Sequence, residues 1–108
     1  MRVLVVGASG TIGQAVVRAL AMGNEDVRAS RSRSEVKVDI TEPDSIRRMY
    51  RNVGRVDAVV AAAGEGKFGP LEVLTDEDFR FTLGSKLMGQ INLVRLSLIH
   101  ISEPTRPY

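Results

Sequence analysis

The stretch Val5–Gln14 (VVGASGTIGQ) places three glycines at intervals of three residues, and it constrains the fold more than any other part of the chain. An apolar run, Arg2–Val6 (RVLVV), leads into it and is typical of a parallel strand that is buried on both faces. Helical spacing of apolar residues follows over Thr11–Met22. A strand that enters a helix through such a turn predicts a βα unit with an anion site at the helix N-terminus.

The three glycines have different predicted roles, although a glycine-rich turn that serves chain geometry alone is the alternative. Gly7 allows a tight turn after the strand, Gly10 lets the backbone approach a diphosphate, and Gly13 lets the helix pack closely against the strand. The spacing G-x-x-G-x-x-G is a variant of the Rossmann dinucleotide pattern. First-turn N–H groups and nearby hydroxyls complete the predicted diphosphate contacts, which are Gly7, Ser9, Gly10, Thr11, Ile12 and Gly13.

The rest of the chain alternates between predicted strands and helices. Thr41 is predicted to cap the second helix, which has Pro43 in its first turn, and a long third helix is predicted from a cap at Thr75 past Arg95. Parallel pairing with helical crossovers is the economical arrangement, so a chain of 108 residues predicts an α/β, Rossmann-like, doubly wound parallel sheet that is truncated after its fourth strand and the following helix. The later strands are predicted over Asp26–Ser30, Glu35–Val38 and Arg55–Ala63.

The end of the second predicted strand bears on which dinucleotide would bind. NAD-binding versions place an acidic residue about 20 residues after the glycines, where it bonds the ribose 2′-hydroxyl. Here the strand ends in Ser30, Arg31, Ser32 and Arg33 instead. A guanidinium and hydroxyls suit a 2′-phosphate that a carboxylate would repel, so NADP is favoured over NAD. The alternative is a solvated basic loop.

Composition excludes several other classes of function. The net charge is only +2 and aromatic residues make up 5% of the chain without alternating with arginines, so no nucleic-acid partner is expected. The chain contains no cysteine, which excludes disulfides and thiolate metal sites, and no metal site is predicted. No apolar run approaches a membrane span, and a strand begins within two residues of the N-terminus. A cytoplasmic protein with no membrane partner is therefore expected.

Four further motifs resemble the short-chain dehydrogenases/reductases over residues 1 to about 95. The motif VDI resembles the family's Asp-plus-apolar pair, which implies that Asp39 and Ile40 lie at the adenine. The motif AAAG resembles the Asn-Asn-Ala-Gly sequence that packs against the cofactor, which implies a cofactor contact at Ala61, Ala62, Ala63 and Gly64. The linker FGPLEVLTDEDF at Phe68–Phe79 and the helix SKLMGQINLV at Ser85–Val94 also resemble this family.

The chain departs from the family pattern at two places. Ala61 and Ala62 replace the two asparagines, so their side-chain hydrogen bonds are lost. Three residues before Gly89, where the family usually has an asparagine that helps hold a proton-relay water, this chain has Lys86. Lys86 is therefore either a supporting residue for catalysis or an ordinary exposed lysine.

The resemblance implies a catalytic tyrosine with a lysine four residues later and a serine that orients the substrate oxygen, while the cofactor carries the hydride. Gly54 follows Tyr50 at that spacing, Tyr108 is the last residue, and no Tyr-x-x-x-Lys occurs. The chain is thus expected to be the inactive, cofactor-binding part of an NAD(P)-dependent oxidoreductase whose parent acts on a small-molecule carbonyl or alcohol. The alternatives are a non-catalytic NAD(P)-sensing module and an extended-branch sugar-nucleotide epimerase or dehydratase. The compact linker favours the oxidoreductase.

The long third helix is also expected to mediate self-association. The family resemblance implies that residues 76–95 form a homo-oligomer face in the parent. The apolar residues on this helix are expected to be core or interface positions, and they are Phe79, Leu83, Leu87, Ile91 and Val94.

The last part of the chain resembles a non-biological sequence. Residues 96–106 (LSLIHISEPTR) resemble the translated mosaic end and index adapter of a sequencing library. The expected organisation is therefore a partial dinucleotide-binding domain over residues 1–95, joined to a non-native tail over residues 96–108.

Overall fold

A computed structural model of the protein describes residues 1–64 and 69–102, with the side chains of the last two left out. The chain forms a four-stranded sheet in the order β3-β2-β1-β4, and every strand pair is parallel. The strands are β1 (Arg2–Val6), β2 (Glu25–Ser30), β3 (Val36–Lys37) and β4 (Ala58–Ala61). The chain moves outward from β1 to β3 and then returns to the other side of β1, which confirms the predicted doubly wound α/β fold.

Helices cover both faces of this sheet. They are α1 (Thr11–Leu20), α2 (Pro43–Val53), α3 (Asp76–Thr82) and α4 (Gly89–Ser102), with a 3₁₀ turn at Leu71–Val73 and a π-helical segment at Leu83–Met88. Alternate residues of a strand point to opposite faces, so the core has two parts. The α1 face buries Val3, Val5, Ala8 and Val17. The opposite face packs the sheet against α2 and α4 and includes Leu4, Val6, Ile46, Met49, Tyr50, Leu93 and Leu96.

Most element boundaries differ from the predicted ones by a few residues. The largest difference is at β4, because the predicted strand over Arg55–Ala63 pairs with β1 only at Ala58–Ala61. Before it, the Arg2 backbone N–H donates to Asp57 Oδ2 at 2.8 Å, while the Asp57 N–H donates to the Arg2 carbonyl at 2.8 Å. After it, Gly64 adopts a φ of +125°, which ends the extended conformation.

The predicted cap of α2 is wrong. The N-cap residue is Glu42, Pro43 follows it as the first residue of the helix, and no side chain caps the N-terminus. The Thr41 hydroxyl instead donates to Asp39 Oδ1 at 2.6 Å. A capping hydroxyl would accept from a backbone N–H of the first turn, but the helix begins one residue later and Thr41 is bound to Asp39, with its own N–H donating to the same Oδ1 at 3.0 Å.

The long third helix is interrupted rather than continuous. It begins as predicted at Thr75, which forms a capping box with Asp78. The π turn then breaks the α-helical pattern, with the Gly89 N–H bonded to the Gly84 carbonyl. A π turn inserts one extra residue, so it changes which side chains face the sheet. An insertion of this kind has no apolar periodicity of its own, and sequence spacing did not reveal it.

The apolar residues predicted on this helix are not core residues in the described chain. Phe79, Leu83, Leu87, Ile91 and Val94 are between 41% and 58% exposed. The helix instead contacts the sheet and α2 through Leu93 and Leu96. The core interpretation of these five residues is therefore wrong, while the interface interpretation stays a prediction.

The described chain continues as helix beyond Arg95. Leu96 is buried in the main core, and the His100 ring stacks on Tyr50 with the ring centroids 5.3 Å apart. The Tyr50 hydroxyl donates to the Leu93 carbonyl at 2.8 Å, which joins α2 to α4. The predicted tail falls partly in this helix, and residues 103–108 lie outside the described residues. None of the described helices is both long and apolar enough to cross a membrane.

Candidate functional site

A cleft of about 210 Å³ opens at the edge of the sheet where the parallel strands end. The carboxyl ends of parallel strands in a doubly wound sheet are the usual ligand-binding edge. Ten of the residues predicted from sequence line the cleft, and they are Gly7, Ser9, Gly10, Ser30, Arg31, Asp39, Ile40, Ala62, Ala63 and Gly64. Residues far apart in the chain are thus brought to one place by the strand order.

Two of the three glycines in the β1–α1 turn are required by the fold itself. Gly7 has a φ of +89°, and a Cβ there would lie 2.7 Å from the Ala62 carbonyl carbon. A Cβ on Gly13 would lie 1.9 Å from the Gly7 carbonyl oxygen. Both contacts are with backbone, which cannot move aside as the end of a side chain can. The turn is also fixed by the Gly7 N–H, which donates to the Ala29 carbonyl at 2.8 Å.

Gly10 differs from the other two because nothing among the described residues requires a glycine there. A Cβ there would meet only the Gly7 carbonyl oxygen, at an ordinary 3.5 Å, and the backbone has an extended conformation with φ −78° and ψ 173°. Gly10 is the N-cap of α1, and the first turn of this helix carries no acidic side chain. Its bare backbone therefore leaves room for a ligand at the positive end of the helix dipole.

The remaining predicted residues of the first helical turn do not line the cleft with their side chains. Thr11 and Ile12 belong to the first turn of α1, and the Ile12 side chain is 70% exposed. Only their backbone N–H groups are placed to face an anion at the helix N-terminus, since first-turn amides have no intrahelical acceptor. A bound diphosphate would therefore be held by backbone groups.

The residues at the end of β2 that were predicted to bind a 2′-phosphate differ in their burial and in whether they line the cleft. Ser30 is buried, and its Oγ accepts a hydrogen bond from the Arg33 N–H at 3.1 Å. Arg31 is exposed and lines the cleft. Ser32 is also exposed but is not among the residues that line the cleft. Ser30 therefore shapes the loop, whereas Arg31 presents its charge to the cleft.

Asp39 lies in the cleft after β3 and is held as a carboxylate. Its Oδ1 accepts hydrogen bonds from the Thr41 hydroxyl at 2.6 Å and from the Thr41 N–H at 3.0 Å. The Thr41 side chain is the main cause that lowers the pKa of Asp39 below its ordinary value of 3.8, with help from the Thr41 backbone and the Arg31 charge, while partial burial opposes them. The Asp39 N–H donates to Ser45 Oγ at 2.9 Å, which fixes the backbone of the same turn.

The end of β4 is anchored by a residue that sequence reasoning missed. Gln90 Nε2 donates to the Ala63 carbonyl at 2.6 Å, which ties the segment after β4 to α4. This contact helps hold a segment that lacks the two asparagines of the family pattern. Ala61 is the last residue of β4 and does not line the cleft. Lys86 lies beside Gly64 but is not a lining residue either.

Two further lining residues, Phe81 and Ser85, were also missed. They come from the segment that contains the π turn, and Ser85 is buried. Their four-residue spacing, continued by Gly89, is the sequence signal that would have placed them on one side of a helix. Gly89 packs there against Ile40, since a Cβ would lie 2.8 Å from Ile40 Cδ1. Across the described residues, no group of three or more acidic or histidine side chains could hold a metal ion.

Comparisons with known proteins agree with this geometry. The NAD dependent epimerase/dehydratase family model matches residues 3–101. A sepiapterin reductase of Chlorobaculum tepidum is 34% identical over 64 residues, which are 56% of this chain and 26% of that protein. The protein lin1944 of Listeria innocua is 49% identical with a TM-score of 0.88, over 93% of this chain and 50% of that one.

A third relative is an alcohol dehydrogenase of Thermococcus sibiricus, solved in complex with 5-hydroxy-NADP. It is 28% identical with a TM-score of 0.81, over 94% of this chain and 53% of that one. The chain thus spans about a quarter of the sepiapterin reductase and about half of each solved relative. The family match and these relatives show that the chain belongs to the NAD-dependent epimerase/dehydratase family in its broad sense, that is, to the short-chain dehydrogenases/reductases whose motifs it carries.

Proposed function

We propose that this chain is the cofactor-binding part of an NADP-dependent oxidoreductase that reduces a carbonyl or oxidises an alcohol. The single observation that carries the proposal is the β1–α1 turn, where Gly10 leaves open a space that the fold does not need. Membership of an NAD(P)-dependent family and oxidoreductase relatives support the reaction class. When bound, the dinucleotide supplies the hydride chemistry.

The residues present fit a dinucleotide along the whole cleft. The N-terminus of α1 would hold the diphosphate through its first-turn amides. Asp39 and Ile40, after β3, would receive the adenine, as the family resemblance implies. The segment Ala62–Gly64, tied down by Gln90, would pack against the cofactor at the other side of the turn.

The preference for NADP depends on Arg31. Its guanidinium lines the cleft next to Ser30, at the strand end where NAD-specific members have an acid. A guanidinium bonds a phosphate through two N–H groups at once, so it discriminates strongly between a 2′-phosphate and a 2′-hydroxyl. A solved relative in complex with 5-hydroxy-NADP is consistent with this choice.

Titration of the purified chain with NADP⁺ and NAD⁺ by isothermal calorimetry tests this proposal. We expect NADP⁺ to bind at least tenfold more tightly than NAD⁺. The variant Arg31→Gln should lose that preference and keep its NAD⁺ affinity, while Arg48→Gln, an exposed arginine on α2, should behave like wild type. Equal or tighter NAD⁺ binding by the wild-type chain would contradict the assignment of NADP.

The catalytic residues would come from sequence that follows the shared motifs. We propose that residues 96–106 are a translated adapter within a non-native tail over residues 96–108, and that the natural frame continues after Arg95 into a strand, a serine and a Tyr-x-x-x-Lys. Resequencing the source DNA across the Arg95 codon tests this. A natural gene that encodes SEPTRPY at this point would contradict it.

With the natural continuation, Lys86→Ala should lower kcat if Lys86 supports a proton relay and change nothing if it is an ordinary surface lysine.

A sugar-nucleotide epimerase or dehydratase is the second candidate, because the matching family model carries that description. The full natural protein would distinguish the two. An oxidoreductase changes the NADPH absorbance in proportion to product. An epimerase converts a sugar nucleotide with no net change in that absorbance.

We also propose that the parent assembles as a homo-oligomer through residues 76–95. The exposed apolar side chains on this segment, between 41% and 58% exposed, support this proposal. A monomeric parent in light scattering, with no change on Leu87→Glu, would contradict it.

A further inference from the structure

A second cleft lies on the α1 face of the sheet, outside the dinucleotide cleft. We call it the arginine cleft; it has a volume of about 380 Å³ and is lined by Ala8, Ser9, Gln14, Val17, Arg18, Arg28, Arg33 and Ser34. Ser9 is the one residue that lines both clefts, so the two are neighbours across the β1–α1 turn.

Three separate elements bring the arginines together. Gln14 and Arg18 are four residues apart on α1 and therefore share one side of that helix. Arg28 of β2 lies beside Val5 of β1 in the parallel register, so it points to the same sheet face as Val5, which is the face that α1 covers. Arg33 comes from the loop between β2 and β3, which the Ser30 hydroxyl holds through the Arg33 N–H.

The charges in the arginine cleft are only partly compensated. Asp26 lies on the same face two residues before Arg28, and the two side chains form an ion pair at 2.6 Å. Within the described ranges, no carboxylate lies within ion-pairing distance of Arg18 or Arg33. Positive charges that converge on one concave surface repel one another, and a bound anion relieves that repulsion.

We propose that the arginine cleft binds a phosphate dianion. Its excess of two positive charges balances the two negative charges of the ligand, and guanidinium groups bond phosphate oxygens in pairs. Ser9 and Ser34 add hydroxyl donors at the same surface. The proposed occupant is a free phosphate ion, because the proposed function assigns the 2′-phosphate of a dinucleotide to Arg31 in the other cleft.

The test uses the full chain and inorganic phosphate as the probe, followed by calorimetry at constant ionic strength. We expect saturable binding that weakens at least tenfold in the double variant Arg18→Gln/Arg33→Gln. The matched control is Arg48→Gln/Arg51→Gln, which removes the same charge from exposed positions of α2 and should bind phosphate like wild type. Far-UV circular dichroism verifies that each variant is folded, and the two single variants replace the double variant if it is not.

Three results would overturn the proposal. One is phosphate binding by the double variant at wild-type affinity, and another is a wild-type response no larger than that to chloride at equal ionic strength. The third is competition between phosphate and NADP⁺ with loss of NADP⁺ affinity alone in the double variant, because the cleft would then hold the 2′-phosphate. We expect phosphate to bind equally well to NADP⁺-saturated protein. Phosphate binding without binding of either dinucleotide would contradict the proposed function and leave this proposal unaffected.

Discussion

Substituting alanine at Gly10 and at Gly13 separates a glycine reserved for a ligand from a glycine required by the fold. At Gly13 the new methyl group would lie 1.9 Å from the Gly7 carbonyl oxygen and 2.9 Å from the Ala8 Cα. Backbone must move to relieve this overlap, and the cost lies at or above the upper end of the range for overpacking, about 3 kcal/mol. Total stability of a domain is only about 5–15 kcal/mol, so G13A should be clearly destabilised.

At Gly10 the same methyl group meets one atom at 3.5 Å, and the extended backbone suits alanine. Alanine is a poorer N-cap than glycine, which costs about 0.5–1 kcal/mol, but it restricts the unfolded chain and recovers about 0.4–1 kcal/mol. The free energy of unfolding of G10A should therefore stay within about 1 kcal/mol of wild type. The methyl group occupies the approach to the α1 N-terminus, so dinucleotide affinity should fall at least tenfold, about 1.4 kcal/mol.

The assay is urea unfolding followed by circular dichroism, paired with calorimetric titration of NADP⁺ on the same samples. We expect G10A to be folded and to bind NADP⁺ at least tenfold more weakly than wild type, and G13A to be deficient in both measurements. If G10A loses as much stability as G13A, Gly10, the middle glycine of the turn, serves chain geometry and its assignment to a ligand is wrong. Wild-type NADP⁺ affinity in a folded G10A would refute the placement of the diphosphate.

Four further predictions follow from contacts elsewhere in the chain. The folded-state pKa of Asp39 is lowered, so its carboxylate contributes stability above pH 3.8. That stability is lost as the pH falls through the folded-state pKa. The difference in free energy of unfolding between wild type and Asp39→Asn, measured in urea, should therefore shrink from pH 7 to pH 3. Tyr50→Phe removes a buried hydrogen bond to Leu93 and should cost about 0.5–1.5 kcal/mol at pH 7. Burial raises the pKa of Tyr50, so the wild type should lose stability as the pH rises above 10 and the variant should lose less, as urea titrations would show. Thr75→Ala removes the capping box of α3, and amide exchange at Asp78 should accelerate about fivefold, equivalent to about 1 kcal/mol, with little change in global unfolding. The open β4 edge should make the chain associate at high concentration, and a sharp monomeric peak with cooperative unfolding would contradict that expectation.

The fold could be predicted from sequence because each element has its own local signal. The continuous apolar run of β1, the glycine turn and the helical spacing of α1 lie next to one another in the chain, and together they define the unit that the rest extends. The parallel arrangement of the strands was then predicted from the rule that parallel strands need crossover connections. The predicted cap of α2 was wrong for a local reason, because the helix begins after Glu42 and Thr41 is held by its hydrogen bonds to Asp39.

The candidate site could be predicted where the backbone after a strand forms it. It could not be predicted where it depends on which side of a helix faces the sheet. Gly7, Gly10 and Ala62 belong to segments that follow strands, so strand order alone brings them together. Phe81 and Ser85 line the cleft from α3 and from the π-helical segment, and Gln90 of α4 contacts the segment after β4. Sequence spacing did not predict the π turn that sets the rotation of α4 relative to α3.

The arginine cleft also could not be predicted from the sequence alone. Arg18 and Arg28 belong to no sequence motif, and Arg33 was predicted either to help recognise a 2′-phosphate or to lie in a solvated basic loop. The register that places Arg28 beside Val5 is a property of strand pairing, and it decides which sheet face the charge lies on. A one-residue slip of β2 would move Arg28 to the opposite face and abolish the cleft. Charge convergence on this surface is therefore a consequence of sheet register, and it can be argued only after that register is known.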